Sequence, residues 1–277
     1  TLLNLSDAFN AAILIAILSL FAPSILSLLP PFPLSATTSS LHVPSSHSFS
    51  PPLEMPTTLI GGHRVLPPSK MPALQLHYFK IRGLAEPIRM MLIDNGVEFE
   101  NVMFLKDEKW FNETKKTFAF GQVPCLKEGS MEIPQSGAII RHLARKLNLA
   151  GETEEEKVFA DFFAEGLRDV HDKYCDMIYR DYGSKDTFLA TTYPAEWAKV
   201  EALLKKHANG EKFVLGDKIS YADYLLFEEL DIALILSPSS LDAFPVLKAY
   251  HARFAKREGL QAHFASRNYP VNNNGKQ

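Results

Sequence analysis

Tyr78 stands at the end of a strand-like run, LQLHYF (74–79), just before the glycine-containing loop KIRG. The run alternates apolar and polar residues and is rich in strand-forming types, and the segment that follows carries Pro87 in its first turn, which is typical of a helix. A phenol placed between a strand end and a helix N-terminus can donate a hydrogen bond to an anionic nucleophile. A tyrosine that only packs in the core would fit the same pattern, so this chemistry depends on the neighbouring residues.

Pro124 interrupts a second strand-like run, in the segment GQVPCLKEGSMEIPQSG (121–137). Proline has no backbone donor, and within sheets it is confined to edges, bulges and strand starts. The segment resembles the thioredoxin-like folds, in which the proline before the hairpin is commonly cis, and a cis peptide bond here would turn the backbone of Val123 outward. An outward backbone can pair with a peptide-like ligand in the manner of an added strand.

Gln135 and Ser136 follow the same segment at the point where a helix is predicted to begin. Ser136 is a favourable N-cap, and apolar residues then recur at helical spacing, at Ala138, Ile139, Leu143 and Leu147. The free N–H groups and positive dipole end of a helix attract a carboxylate. Together with Tyr78, these residues indicate a pocket for a short anionic peptide that has a phenol at one end.

The elements that must position these residues follow the order β-α-β-α-β-β-α between residues 71 and 148. A Gly129–Ser130 turn separates the last two strands. The order predicts a four-stranded mixed sheet with helices packed on it, a thioredoxin-like domain. Residues 153–267 read as helices throughout and form a second, all-α domain, with a C-terminal tail at 268–277.

The second domain carries two helix signals that are specific. Residues 153–182 have the pattern of one long amphipathic helix, and Ser220-x-x-Asp223 is a capping-box variant ahead of a strongly apolar helix. The predicted architecture is therefore a thioredoxin-like α+β domain followed by an all-helical domain.

Residues 1–70 differ in composition from the rest of the chain. A charge-free apolar segment, 8–29, precedes a Pro/Ser/Thr-rich tract that we expect to be disordered. Three interpretations stay open for this extension: a translated upstream region outside the working protein, which we favour, a signal peptide or anchor, or a folded element. We predict no membrane association unless the extension is real.

Charge and cysteine usage exclude several classes of function. A net charge of −3 without a long basic stripe disfavours a nucleic-acid partner. Two cysteines, Cys125 and Cys175, cannot form a disulfide framework or a CxxC pair, which suits the reducing cytoplasm and disfavours a thioredoxin-type oxidoreductase. No cluster in the sequence has metal-ligand spacing, so no metal is predicted.

Residues 71–277 resemble the cytosolic glutathione transferases, and more narrowly their Pi class, including its nematode members. The resemblance is carried in the family's order by YFKIRGLAEPIR, FGQVPCL, QSGAIIRHLARKLNL, GDKISYADYLLFEELDI, LDAFPVLKAYHAR and PVNNNGKQ. It implies a homodimer that uses reduced glutathione as a co-substrate, with no permanently bound cofactor.

The resemblance assigns a role to each candidate residue. Tyr78 would stabilise the glutathione thiolate, and Tyr179 could also hydrogen-bond a developing charge on the electrophile. The implied glutathione-binding residues are Trp110, Lys115 (or Lys116), Gln122, Val123, Pro124, Gln135, Ser136 and, from the neighbouring subunit, Asp169. The implied residues around the hydrophobic substrate are Phe79, Ile81, Cys175, Tyr179 and Asn273, and Phe120 would be the aromatic key of the dimer.

Two positions depart from the mammalian Pi pattern. Leu84 stands in place of an arginine, so one polar contact near glutathione is expected to be missing or supplied elsewhere. Phe118 stands in place of a reactive cysteine, so regulation through that thiol is expected to be absent unless Cys125 substitutes for it.

The function implied is conjugation of glutathione to hydrophobic electrophiles, as in detoxification. One alternative is a glutathione-dependent isomerase or peroxidase without net conjugation. A second is a non-catalytic carrier of hydrophobic ligands, which would have no need of the Tyr78 hydroxyl.

Overall fold

The computed structural model describes residues 59–60, 63–64, 74–208 and 211–277. Leu59–Ile60 pairs antiparallel with His63–Arg64. The other expectations for residues 1–70 lie outside the described residues. Leu66–Gln277 forms a compact unit of its own, and the predicted boundary between its two domains stays a prediction.

A four-stranded mixed sheet forms the first part of this unit, as predicted. Its strands are β1 (Leu74–Phe79), β2 (Glu100–Phe104), β3 (Cys125–Glu128) and β4 (Met131–Pro134), in the spatial order β2-β1-β3-β4. β1 is parallel to β2 and antiparallel to β3, and β3 is antiparallel to β4. The turn at Gly129 has a φ of +60°, a conformation that glycine adopts without steric cost.

Three helices belong to the same part of the chain: α1 (Glu86–Asp94), α2 (Glu108–Asn112) and α3 (Ser136–Lys146). α1 is the crossover between the two parallel strands, and Pro87 occupies its first turn as the sequence predicts. The order β-α-β-α-β-β-α is therefore confirmed. α3 begins at Ser136, but its N-cap residue is Gln135, which makes no side-chain capping hydrogen bond, so the prediction of Ser136 as the N-cap is wrong.

The second part is helical. Its longer helices are α4 (Glu154–Cys175), α5 (Tyr193–Ala208), α6 (Tyr221–Leu236), α7 (Pro245–Phe254) and α8 (Glu258–Ser266). The long helix predicted for 153–182 ends its α-helical course at Cys175 and continues as a π-helical turn, Asp176–Arg180. The N–H of Asp181 bonds to the carbonyls of Asp176 and Met177 at 3.1 and 3.2 Å, which widens this turn beyond the α-helical pattern.

The loop after Tyr78 is fixed from two sides. The Arg82 guanidinium donates from Nε and Nη2 to the Glu228 carboxylate on α6, at 2.9 and 2.6 Å, with both side chains buried. The backbone N–H groups of Arg82 and Gly83 donate to the carbonyls of Pro270 and Val271, at 2.8 and 3.1 Å. The sheet end that carries Tyr78 is therefore attached both to α6 and to the C-terminal tail.

Asp223 holds the start of α6. The backbone N–H and hydroxyl of Ser220 donate to Oδ2 of Asp223, at 2.7 and 2.8 Å, so Ser220 and Asp223 meet at the start of α6 as the sequence predicts. Oδ1 accepts from the N–H of Val214 at 2.8 Å and from the Tyr250 hydroxyl at 2.6 Å. One fully buried carboxylate thus joins α6, the preceding loop and α7.

We expect Asp223→Ala to lower the free energy of unfolding by about 3–5 kcal/mol, because several buried donors lose their acceptor at once. The measurement is urea denaturation followed by circular dichroism. Asp242→Ala, which removes an exposed ion pair with Lys248, is the control and should change stability by no more than about 0.5 kcal/mol. Equal losses in the two variants would contradict this account of the cap.

Candidate functional site

The Tyr78 hydroxyl lies at the end of β1 against the turn that leads into α1. Its side chain is only 6% exposed, and Oη accepts a hydrogen bond from the N–H of Leu84 at 3.2 Å. Burial raises the pKa of Tyr78 to about 12, and the Leu84 N–H partly opposes this. The phenol therefore stays protonated at neutral pH, and its hydrogen is free for an acceptor on a ligand.

A cavity of about 390 Å³ opens beside this hydroxyl, and we call it the Tyr78 cavity. All five residues predicted around the hydrophobic substrate line it together with Tyr78: Phe79, Ile81, Cys175, Tyr179 and Asn273. Tyr179 stands on the π-helical turn, 43% exposed, and its hydroxyl accepts from the N–H of Asn273 at 3.1 Å. The C-terminal tail thus contributes to one wall of this cavity.

A second cavity, of about 350 Å³, lies at the N-terminus of α3, and we call it the Ser136 cavity. Gln135 and Ser136 both line it, as does Gly137. Four residues line both cavities, namely Gly83, Leu84, Arg168 and His171, so the two cavities adjoin. Because α3 has eleven residues, its first free N–H groups give this end of the site a positive electrostatic potential.

Other predicted glutathione-binding residues lie outside both linings. The Val123–Pro124 peptide bond is cis, as predicted, Pro124 is buried, and Gln122 is exposed. The Gln135 side chain donates from Nε2 to Oε1 of Gln122 at 3.1 Å. This bond brings together two residues that the resemblance assigns to different parts of glutathione.

Trp110, Lys115, Asp169 and Phe120 are also placed away from the two cavities. Trp110 is buried against Phe79, with ring centroids 4.8 Å apart and nearly perpendicular ring planes. The Lys115 stem lies beside Gly121, where an added Cβ would come within 3.0 Å of its Cε. Asp169 is exposed on α4.

Phe120 points away from the core in an unusual backbone conformation. It is 77% exposed, and its φ of +56° is uncommon for a residue other than glycine.

Sequence reasoning missed several residues that line the cavities. Arg168 donates to the Ser136 hydroxyl at 3.3 Å and pairs with Asp172 at 3.0 Å. His171 lies between the two cavities, and Lys106 lines the Tyr78 cavity. The signal available was periodicity: Arg168, His171 and Cys175 are spaced so that they share one face of α4.

Two further features of the described part of the chain concern metals and membranes. Among these residues no group of His, Cys, Asp and Glu side chains is arranged to hold a metal ion. None of the described helices combines the length and the apolar character needed to cross a bilayer.

Comparison with known proteins identifies the family. The models "Glutathione S-transferase, N-terminal domain" and "Glutathione S-transferase, C-terminal domain" match residues 69–145 and 168–267. A glutathione S-transferase of Dirofilaria immitis is 51% identical over 207 residues, which cover 73% of this chain and 99% of that protein. The chain belongs to the glutathione S-transferase family.

Other relatives place this glutathione S-transferase near the Pi class. A glutathione S-transferase P of Caenorhabditis elegans is 52% identical over 208 residues, covering 74% of this chain and 99% of that protein. The solved Pi-class glutathione S-transferase of Onchocerca volvulus superposes with a TM-score of 0.72 at 51% identity, covering 74% of this chain and 100% of that one. The resemblance to nematode Pi-class members is thereby confirmed.

We expect Gly83→Ala to lower the glutathione transfer rate at least about 10-fold, because a Cβ there would lie 2.7 Å from the Tyr78 hydroxyl oxygen. Gly83 also has a φ of +42°, which strains any other residue. Gly216→Ala is the matched control, since Gly216 has a φ of +83° with no atom within 4 Å of an added Cβ. Steady-state rates and melting temperatures should show both variants destabilised and only Gly83→Ala inactivated; equal activities would contradict the steric argument.

Proposed function

We propose that this glutathione S-transferase family member activates the thiol of reduced glutathione and adds it to hydrophobic electrophiles. One observation carries the proposal: the protonated Tyr78 hydroxyl shares a cavity with all five predicted substrate residues, and this cavity adjoins the one at Ser136. In the proposed reaction the glutathione thiolate lies beside the Tyr78 hydroxyl, and the electrophile lies next to the thiolate in the same cavity.

Tyr78 acts by favouring the thiolate over the thiol. A free thiol has a pKa of about 8.5, and lowering it by about two units corresponds to about 2.7 kcal/mol of preferential stabilisation. A hydrogen bond from a buried hydroxyl to an anion, in a site that excludes water, can supply energy of this size. The Leu84 N–H supports this role because it uses an oxygen lone pair of Tyr78 and leaves the hydroxyl hydrogen to be donated.

The γ-glutamyl end of glutathione is assigned to the Ser136 cavity. Gln135, Ser136 and the first N–H groups of α3 supply hydrogen bonds and a positive dipole end for its carboxylate. Val123 and Gln122, next to the cis Pro124, would pair with the cysteinyl backbone of glutathione. The hydrogen bond between Gln135 and Gln122 supports the view that these contacts belong to one ligand.

The glycyl end is assigned to Trp110 and a lysine. The Lys115 stem beside Gly121, one residue before Gln122, supports Lys115 over Lys116 as the partner of the glycyl carboxylate. An ammonium group binds a carboxylate as a point charge from several directions, so a flexible, exposed lysine suits this role.

The electrophile is assigned to the Tyr78 cavity, where catalysis consists of thiolate stabilisation and proximity. Phe79, Ile81 and Cys175 offer apolar contacts. The Tyr179 hydroxyl already accepts from Asn273, so its own hydrogen can go to an oxygen that gains negative charge on the electrophile. No permanently bound cofactor takes part in this proposal, and the biological role would be detoxification.

The active form is proposed to be a cytoplasmic homodimer. Phe120 supports it, because a large apolar side chain that is 77% exposed is suited to insertion into a partner subunit. Asp169, exposed on α4, would reach the γ-glutamyl amine bound by the neighbouring subunit. Both cysteines are free, which agrees with a reducing compartment.

We expect Tyr78→Phe to lower the rate of conjugation to chlorodinitrobenzene about 100-fold near neutral pH. The rate should recover as the pH rises toward the pKa of free thiols, because base then forms the thiolate that the hydroxyl no longer stabilises. Tyr182→Phe removes a hydroxyl that bonds to the Gln277 carbonyl, outside both cavities, and should change the rate less than about twofold. Glutathione binding without turnover in the wild-type protein would contradict the proposed function and favour a carrier.

We expect Phe120→Ala to weaken dimerisation at least about 30-fold, which corresponds to the loss of one interface hot spot. Analytical ultracentrifugation over a concentration series measures this shift. Leu203→Ala, on the exposed face of α5, is the control and should sediment as the wild type does. Unchanged sedimentation of Phe120→Ala would show that Phe120 is not the dimer key.

A further inference from the structure

A buried acid–base pair separates the two cavities. His171 on α4 and Glu229 on α6 are 7% and 6% exposed, and Nδ1 of His171 lies 2.8 Å from Oε1 of Glu229. His171 lines both cavities and Glu229 lines the Ser136 cavity. None of the steps of thiolate formation and transfer derived above uses this pair.

The imidazole is held in its charged form. Burial opposes the charge, but the adjacent Glu229 carboxylate outweighs burial, and the pKa of His171 is raised well above its usual value. The second carboxylate oxygen, Oε2, is buried and has no hydrogen-bond partner among the described residues. A buried carboxylate with one oxygen unpaired depends all the more on a proton kept on the ring beside it.

Cys175 lies one helical turn after His171, on the same face of α4. Because Nδ1 faces Glu229, Nε2 is the nitrogen left for a neighbour on this face of α4, and the four-residue spacing places the Cys175 side chain next to the ring. Cys175 is half-buried and lines the Tyr78 cavity, so its sulfur can be reached from the space beside the Tyr78 hydroxyl. A cysteine next to a charged histidine that a carboxylate holds in place can react as a thiolate, because the positive ring stabilises the negative sulfur.

The other cysteine offers a contrast within the same chain. Cys125 is fully buried in the sheet, and burial, reinforced by Glu132, raises the pKa of its thiol to about 12. A thiol in that setting is inert, because the thiolate is the reacting form.

We propose that Cys175, His171 and Glu229 form a second thiol centre, which exchanges disulfides with glutathione inside the Tyr78 cavity. The proposal rests on the proposed function in one respect only, that the cavity accepts glutathione. It adds a thiol–disulfide exchange reaction that glutathione conjugation does not require.

The exchange balances without any further reactant. The Cys175 thiol proton passes to solvent, because His171 already carries its proton, and the thiolate, stabilised by the charged ring, attacks one sulfur of glutathione disulfide. A bond forms between Sγ of Cys175 and that sulfur while the original S–S bond breaks. The departing glutathione thiolate takes a proton from solvent, so Cys175 is oxidised and one glutathione is released in reduced form.

The modified enzyme would have a different activity. A glutathionyl group on Cys175 would fill the space assigned to the electrophile, so conjugation would stop until reduced glutathione attacks the mixed disulfide and restores the thiol. The ratio of oxidised to reduced glutathione would then set the fraction of active enzyme.

The test treats the full chain with glutathione disulfide and follows the intact mass. Because the chain has two cysteines, each addition can be assigned by peptide mapping. We expect one glutathionyl group per chain, on Cys175, with release of one reduced glutathione and full reversal by excess reduced glutathione. Cys125→Ser should react as the wild type does and Cys175→Ser should not react. Absence of the adduct, or an adduct on Cys125, would overturn the proposal.

The contributions of His171 and Glu229 are tested separately, by the rate at which the mixed disulfide forms. His171→Ala and Glu229→Gln should each slow formation of the mixed disulfide at least about 10-fold. Added imidazole should restore the rate of His171→Ala alone, an effect that a purely structural histidine would not show. If either variant reacts at the wild-type rate, or if imidazole restores nothing in a folded His171→Ala protein, the activation of Cys175 by this pair is wrong.

The same wild-type preparation is assayed for conjugation to chlorodinitrobenzene, so that the two proposals can fail separately. Conjugation without the adduct would overturn the exchange centre alone. The adduct without conjugation would support the exchange centre and remove the conjugating function.

Discussion

The Arg82 guanidinium is held by two carboxylates of α6, Glu228 and Asp231, at 2.6 and 2.8 Å. Burial opposes its charge, but these carboxylates outweigh burial and raise the pKa of Arg82, which therefore stays charged. Removing one partner of a buried ion pair typically costs about 3–5 kcal/mol, because the other charge is left without compensation. Tyr78 lies four residues before Arg82, so the position of its hydroxyl depends on a contact with the helical part of the chain.

The C-terminal tail connects the same loop to the wall of the Tyr78 cavity. Its backbone accepts from Arg82 and Gly83, while the Asn272 side chain donates to the Tyr174 hydroxyl at 3.1 Å. The Asn274 side chain donates to the Ile178 carbonyl at 2.8 Å, within the π-helical turn. The Tyr78 hydroxyl and the opposite wall of the Tyr78 cavity are thus built against a common support, which keeps their separation fixed.

Local signals in the sequence predicted much of this fold. The alternation in LQLHYF gave β1 with its observed ends, the glycine at 129 gave the hairpin, and the spacing of Ser220 and Asp223 gave the start of α6. Each of these features depends on residues a few positions apart, which is why composition and periodicity are sufficient to predict them.

Long-range contacts within the site could not be predicted in this way. His171 meets Glu229 across 58 positions, and nothing in either segment indicates the pairing before the helices are packed. The π-helical turn at Asp176–Arg180 was also missed, because its side-chain pattern continues that of α4. Roles for residues such as Trp110 and Lys115 came from the family resemblance, since neither spacing nor burial singles them out.

The four residues shared by the two cavities limit how the enzyme can change its substrate range. A substitution at Gly83, Leu84, Arg168 or His171 alters the proposed glutathione seat and the electrophile space at once. Phe79, Tyr179 and Asn273 line the Tyr78 cavity alone. Substitutions in the π-helical turn and in the C-terminal tail can therefore change which electrophiles are accepted without altering the proposed glutathione site. This holds for natural divergence among relatives and for directed evolution alike.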